Sequence, residues 1–140
     1  MAERLLFDAS SLIYALKLKK PGILRGNYIQ WLTIYETLNG LWKEAHLVKT
    51  ISAEEATAIA RTLGKITRYM NVLDPQGAEE EILKTALEHG ITVYDASYIV
   101  LAKNNSLTLV TEDRKLRAKA EKIVKTRSLR EVVRTDSAPG

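Results

Sequence analysis

Apolar residues in this chain form short continuous runs that alternate with stripes at three- and four-residue steps. Runs of that kind predict buried strands and stripes predict amphipathic helices. Leu5-Leu6-Phe7, closed by Asp8, reads as a strand over residues 4–8. A helix follows at once, from Ser10 or Ser11 to about residue 18, with the serines as candidate caps and Pro21-Gly22 as its stop. Residues 23–30 fit either a short strand or an extended loop broken by Gly26. Over residues 33–46, Ile34, Leu38, Leu41 and Ala45 make an apolar stripe, while Glu36, Asn39 and Lys43 recur on another face. Gly40, in mid-helix, costs roughly 1 kcal/mol against Ala, and close packing is one use for it. Ser52-Ala53-Glu54-Glu55 is a capping box that opens a helix to about residue 68, with Ala56, Ile59, Ala60, Leu63 and Ile66 on its apolar side.

The second half continues the alternation. Residues 70–73 read as a strand and Asp74-Pro75-Gln76-Gly77 as a turn. Glu79, Glu80 and Glu81 stand in a first helical turn, where acids suit the helix dipole, and Gly90 is the C-cap. Residues 91–94 are too short to assign, with a helix opened by Asp95 running to about residue 103. After the turn Asn104-Asn105-Ser106 come a strand over 107–111, a helix over 113–121, a strand over 122–126 and a helix over 128–134 capped by Ser128. Residues 135–140 have no reason to be ordered. The expectation is one domain over residues 1–134, an α/β fold with a mainly parallel sheet, followed by a flexible tail.

Composition narrows the chemistry. A chain of 140 residues fits one domain with a real core. It has no apolar run long enough to span a membrane, and its first residues lack the signal-peptide pattern, so an intracellular, cytoplasmic place is expected. Without cysteine there is no disulfide, thiolate ligand or Cys nucleophile, and the two histidines, His46 and His89, share no ligand spacing. Charge is uneven: residues 114–134 carry nine Lys or Arg against Glu121 and Glu131, whereas residues 1–113 have a net charge of −2. A basic final third beside acids suits a polyanion handled through metal ions, although a solvated helix face has the same composition.

Four carboxylates stand at element ends or early in a helix: Asp8, Glu36, Asp95 and Asp113. Each has a plain structural use. Asp95 and Asp113 can be N-caps and Glu36 a surface residue, but Asp8 closes a run so apolar that an unpaired charge there is costly. Taken together they are expected to converge at the carboxyl ends of the strands, where open α/β sheets bind ligands. Gathered carboxylates repel unless a cation lies between them, and oxygen donors suit Mg²⁺ or Mn²⁺. Such an ion can activate a water and steady a leaving oxygen at phosphorus without any covalent nucleophile.

Four segments carry a resemblance. They are Leu6-Phe7-Asp8-Ala9-Ser10, Tyr35-Glu36-Thr37-Leu38-Asn39, Tyr94-Asp95-Ala96-Ser97-Tyr98 with Ala102, and Leu109-Val110-Thr111-Glu112-Asp113 with Leu116. In order and interval the chain resembles a PIN domain, and in particular the small stand-alone PIN proteins that serve as VapC toxins, over about residues 4–126. The resemblance implies a three-layer α/β/α PIN-like fold and Mg²⁺- or Mn²⁺-dependent endonuclease activity on an RNA substrate. It also implies a VapB-like antitoxin partner and commonly a homodimer. Asp8, Glu36, Asp95 and Asp113 match the family's acidic quartet as catalytic and metal-binding residues. Thr111, Ser10 and Asn39 match polar positions behind them. Glu112 is an extra acid that either points away or substitutes in part for Asp113.

Other readings use the same residues differently. An aspartyl-phosphate enzyme of the haloacid dehalogenase type needs a second Asp where this chain has Ser10, and the acids are spaced unlike those of a receiver domain. A PIN-like module that binds RNA or protein without cutting, or a PIN nuclease of RNA processing, remains as the alternative. For RNA contact the candidates are Arg114, Lys115 and Arg117, beside Asp113, with Lys119 and Lys122 further along and facing solvent.

Overall fold

Strand β1 (Leu5–Phe7) is buried at every position, as a strand covered on both faces must be. The computed structural model describes residues 3–137. It places β1 at the centre of a five-stranded sheet in the order β3-β2-β1-β4-β5, with β2 (Tyr28–Gln30), β3 (Asn71–Leu73), β4 (Thr108–Val110) and β5 (Thr126–Arg127). All four pairings are parallel, so the expected mainly parallel sheet is parallel throughout. Seven α-helices surround it among the described residues: α1 (Ala9–Lys17), α2 (Trp31–Trp42), α3 (Ala53–Ile66), α4 (Glu79–His89), α5 (Val93–Asn104), α6 (Arg114–Ala120) and α7 (Leu129–Ser137).

The period of two along these short strands builds two cores. Leu5, Phe7 and Val110 point to one face and pack with Leu12 and Leu16 of α1, Leu63 of α3, and Leu129 and Val132 of α7. Leu6 and Leu109 point to the other and meet Tyr98, Ile99 and Ala102 of α5 and Leu116 and Ala120 of α6. The result is three layers, α/β/α. Helix α5 is buried from Ala96 to Ala102 because α4 covers the side that α6 and the sheet do not. This burial all round explains why α5 shows no clean amphipathic stripe in the sequence.

Several boundaries differ from those expected, each for a local reason. The cap of α1 is Asp8, whose side chain accepts from the Ser11 amide; the serines lie inside the helix. The ambiguous stretch holds β2, because its residues pair with both β1 and β3. Helix α2 starts at Trp31, and after Trp42 it loosens into π-type turns over Lys43–Val48 that end at left-handed Lys49. Its buried positions are Thr33, Thr37 and Leu41, and Leu38 faces outward. The last strand is only Thr126–Arg127; residues 121–124 form turns closed by amides that return to the Ala120 carbonyl. Helix α7 runs to Ser137, into the expected tail, and residues 138–140 lie outside the described residues. The capping box at Ser52, the Gly90 cap at φ 63° and the Ser128–Glu131 cap all form as expected.

Gly40 is where α1 and α2 approach each other. A Cβ there would lie 2.8 Å from Ile13 Cδ1. Gly40→Ala is therefore expected to gain less than the roughly 1 kcal/mol that helix propensity offers. Trimming the opposing methyl with Ile13→Val should let the same change realise that gain. Urea denaturation of the two single variants and the double variant measures this, and strict additivity would show that the contact is not the constraint.

Candidate active site

In the strand order, β2 and β3 lie to one side of β1 and β4 and β5 to the other, so the topology switches between β1 and β4. Ligands of open α/β sheets bind outside the carboxyl ends of the strands at such a point. Register puts Phe7 opposite Val110, and Asp8 and Thr111 therefore leave the sheet side by side.

Asp8 is 6% exposed. A carboxylate so placed needs partners, and the sequence supplies them at once. Its Oδ1 accepts from the Ser11 amide at 2.9 Å and the Ser10 hydroxyl at 2.8 Å. The Ser11 hydroxyl, 2.9 Å from Oδ1, divides its one hydrogen between Asp8 and the Val110 carbonyl. Oδ2 accepts from the Thr111 hydroxyl. Thr111 in turn accepts from the Asp113 amide at 3.0 Å, and Ser10 from the Glu112 amide at 3.0 Å. The start of α1 and the turn into α6 are thus pinned together through one buried acid.

Asp113 is the N-cap of α6, its Oδ1 accepting from the amides of Lys115 and Leu116. Glu112 turns the other way and accepts from the Leu129 amide at the start of α7. Asp95 is not a cap: Thr92 caps α5 and accepts the Asp95 amide at 3.1 Å. The Asp95 carboxylate is half-buried and has no hydrogen-bond donor among the described residues. Glu36, half-buried on α2, accepts from the Tyr98 phenol at 2.6 Å through Oε1.

These acids feel one another. Burial first, and then the charges of Asp8 and Asp95, hold Glu36 above its ordinary range. Burial, then Asp113 and Asp8, do the same to Asp95. Asp8 is raised by burial in spite of its donors. Tyr98 is pushed far up, by burial and then by its bond to Glu36, so it stays a proton donor. All four sequence-predicted acids are therefore joined in one electrostatic cluster.

The donor set is carboxylate oxygen throughout, which suits a hard divalent cation. Among the described residues no three of these acids are close enough to enclose an ion unaided. A hydrated Mg²⁺ keeps several of its waters, so acids too far apart to touch one ion together can still act on it through them.

The other expected residues divide. Ser10 and Thr111 stand directly behind Asp8. Asn39 is exposed, and its side chain makes no hydrogen bond among the described residues, so it does not support the acids here. Arg114 and Lys115 are exposed in the first turn of α6. Arg117 instead donates to the Thr111 carbonyl at 2.9 Å, bracing the turn that carries Asp113. Of the remaining basic residues, Lys119 and Lys122 are exposed, and Lys125 and Arg127 pair with Glu3. Sequence reasoning missed Ser11, Thr33 and Tyr98. The signal was present in part: Thr33 and Tyr98 each stand three residues from an acid on the same helix, a spacing that shares a face.

Fold and site together define an α/β/α domain that gathers acids at the carboxyl edge of a parallel sheet. The chain belongs to the PIN domain family, which it matches over residues 5–122. It is 41% identical over 98 residues to the exonuclease VapC9 of Pyrobaculum aerophilum, covering 70% of each chain. It is 33% identical over 93 residues to the ribonuclease VapC3 of the same organism, covering 66% of this chain and 70% of that one. Among solved structures, PAE2754 from Pyrobaculum aerophilum superposes with a TM-score of 0.79 at 35% identity, covering 99% of this chain and 98% of the other.

The crowding of acids sets a pH dependence. Glu36 and Asp95 ordinarily titrate at 4.5 and 3.8, and both are raised in the folded chain. Between the ordinary and the raised values the native state keeps protons that the unfolded chain has released, so their contribution to stability falls as pH rises. Asp95→Asn should therefore be more stable than the parent in EDTA at pH 7. The difference should vanish as pH falls below the ordinary carboxylate values. Urea melts across that range check the sign, and a less stable variant at pH 7 would contradict it.

Proposed function

We propose that this chain is a metal-dependent endoribonuclease and the toxin of a VapBC-like pair. The observation that carries the reading is the gathering of Asp8, Glu36, Asp95 and Asp113 at the switch point of a PIN-family sheet, where Asp8 and Asp95 act on Glu36 and Asp113 and Asp8 act on Asp95. The VapC9 and VapC3 likenesses support nucleic-acid hydrolysis, and the VapC type supports a VapB-like antitoxin as partner. A homodimer and a cytoplasmic setting belong to the same reading. No helix among the described residues is long and apolar enough to cross a membrane.

Asp8, Asp95 and Asp113 are the oxygens we assign to Mg²⁺ or Mn²⁺, with Glu36 beside them. When bound, the ion supplies Lewis-acid stabilisation of charge at phosphorus and an acidified water. The chain's own part is to hold the donors. Ser10, Ser11 and Thr111 fix the Asp8 carboxylate, and the capping bonds of Asp113 fix its Oδ1. Asp95, free of donors among the described residues, is the acid best able to take up a proton or an ion. Arg114 and Lys115 extend the site as phosphate contacts, since both leave the turn next to Asp113.

Three measurements test the reading. Purified protein should cut single-stranded RNA with Mg²⁺ or Mn²⁺ and stop in EDTA, and Asp8→Asn and Asp95→Asn should lose cleavage while keeping the fold by circular dichroism. A covalently closed circular RNA separates the cutting modes: an endonuclease opens it, whereas decay of linear RNA alone would assign exonuclease action. Neutralising Arg114 and Lys115 together should weaken RNA binding and flatten the log–log salt slope by about 1.4, two phosphate contacts at about 0.7 each for a single strand. An unchanged slope would move the RNA path toward Lys17, Lys19, Lys20 and Arg25.

A further inference from the structure

Tyr98 is 2% exposed, yet its phenol lies between Glu36 and Thr33 rather than among apolar side chains alone. Hydrogen counting fixes the direction of the bonds around it. The Gln30 amide donates to Thr33 Oγ1 at 3.1 Å. The phenol has one hydrogen, and at 2.6 Å it goes to Glu36 Oε1, which as a carboxylate can only accept. Thr33 must then give its own hydrogen to the phenol oxygen, 3.0 Å away. The order is Gln30 amide, Thr33 hydroxyl, Tyr98 hydroxyl, Glu36 Oε1, with every donor aimed at the acid. Donors aligned in this way polarise one another.

The other end of the chain is fixed as well. The Gln30 side-chain amide donates to Ser97 Oγ at 2.8 Å, and Ser97 donates to the Tyr94 carbonyl at 2.6 Å. Gln30 and Ser97 are both buried. The N-terminal ends of α2 and α5 are thereby tied to each other from behind, ahead of Glu36 on α2 and beside Asp95 on α5. No charged partner shares this work: the acids facing Glu36 are Asp8 and Asp95, and among the described residues it has no cation within salt-bridge reach.

We infer that Tyr98 is a positioning residue whose hydrogen bond to Oε1 sets the orientation of the Glu36 carboxylate, so that Oε2, which accepts no hydrogen bond among the described residues, is presented to a divalent cation or its waters. The inference rests on the metal-dependent reading above. It makes Glu36 an acid whose direction is set by a phenol on the helix of Asp95. A Phe at position 98 keeps the ring in its core and removes only the donor, freeing Glu36 to rotate. Groups that orient a metal ligand characteristically matter by about 10–100-fold in metal affinity.

The test is a double-mutant cycle read by Mn²⁺ binding, with free Mn²⁺ followed by electron paramagnetic resonance. Tyr98→Phe should weaken Mn²⁺ binding by about tenfold, with the far-ultraviolet circular dichroism of the parent. In a Glu36→Ala background the same change should have no further effect, because Tyr98 acts through Glu36. An equal loss in both backgrounds would mean that Tyr98 merely supports the core, and no loss in either would mean that it does not orient the acid; either result overturns the inference. If Tyr98→Phe unfolds, Tyr98→Trp with its indole donor and Thr33→Ser, which keeps its hydroxyl, are measured instead. Thr33→Ser retaining parental affinity while Thr33→Val loses it supports the relay, and equal affinities overturn it. Failure of the parent chain to bind Mn²⁺ at all would overturn the metal-dependent reading itself, a result distinct from a parent that binds while Tyr98→Phe binds equally well.

Discussion

Everything at the carboxyl edge of this sheet depends on the burial of one carboxylate. Asp8 stands where the central strand ends, in a place too dry for an unpaired charge. The donors that make its burial tolerable are the elements that build the cleft. The Ser11 amide is the start of α1, the Thr111 hydroxyl is the end of β4, and Ser10 reaches the Glu112 amide in the turn to α6. The two halves of the sheet, which meet only between β1 and β4, are locked in register at their functional end by side chains as well as by backbone pairing.

That lock works against the other acids. Glu36 and Asp95 are brought near Asp8, and each is held above its ordinary range by burial and by its neighbours' charge. The cleft is a place of stored repulsion between these carboxylates. Collecting these charges costs stability, and such a cluster is the mark of a candidate functional site. The structure compensates around the cleft: Arg117 braces the Thr111 carbonyl and the Gln30–Ser97 pair ties α2 to α5. Glu112, which sequence reasoning left between two roles, belongs to this support because its carboxylate caps the approach to α7.

The elements legible in the sequence were those whose signals are local. The buried run before Asp8, the capping box at Ser52, the Gly90 stop and the Asp74–Gly77 turn each depend on a few neighbouring residues, and each forms where expected. Strand β2 was ambiguous because its identity comes from pairing with β1 and β3, which nothing within residues 23–30 encodes. The last strand was misplaced because apolar residues 123 and 124 are used in turns against α6, and Thr126–Arg127 pair with β4 instead. For Asp95 the sequence leaves both a cap and a site role open, because it is acidic near a helix start; Thr92 takes the capping task, which leaves the Asp95 carboxylate free of it.

By itself the sequence determined the class of fold and put forward four acids as candidates, because hydrophobic period, caps and glycine positions act over a few residues and Asp8, Asp95 and Asp113 stand close to the ends of the elements so defined. The tertiary structure decided which of those acids are neighbours and how each is held. Strand order placed Asp8 and Asp113 at one switch point, and the crossing of α2 over α5 gave Glu36 a phenol from a residue 62 positions away. It also separated the basic residues, turning Arg117 inward and pairing Lys125 and Arg127 with Glu3 while Arg114 and Lys115 stay exposed. The physical reason is the same in each case: burial and long-range pairing create the need for a partner, and only the folded chain settles which partner is within reach.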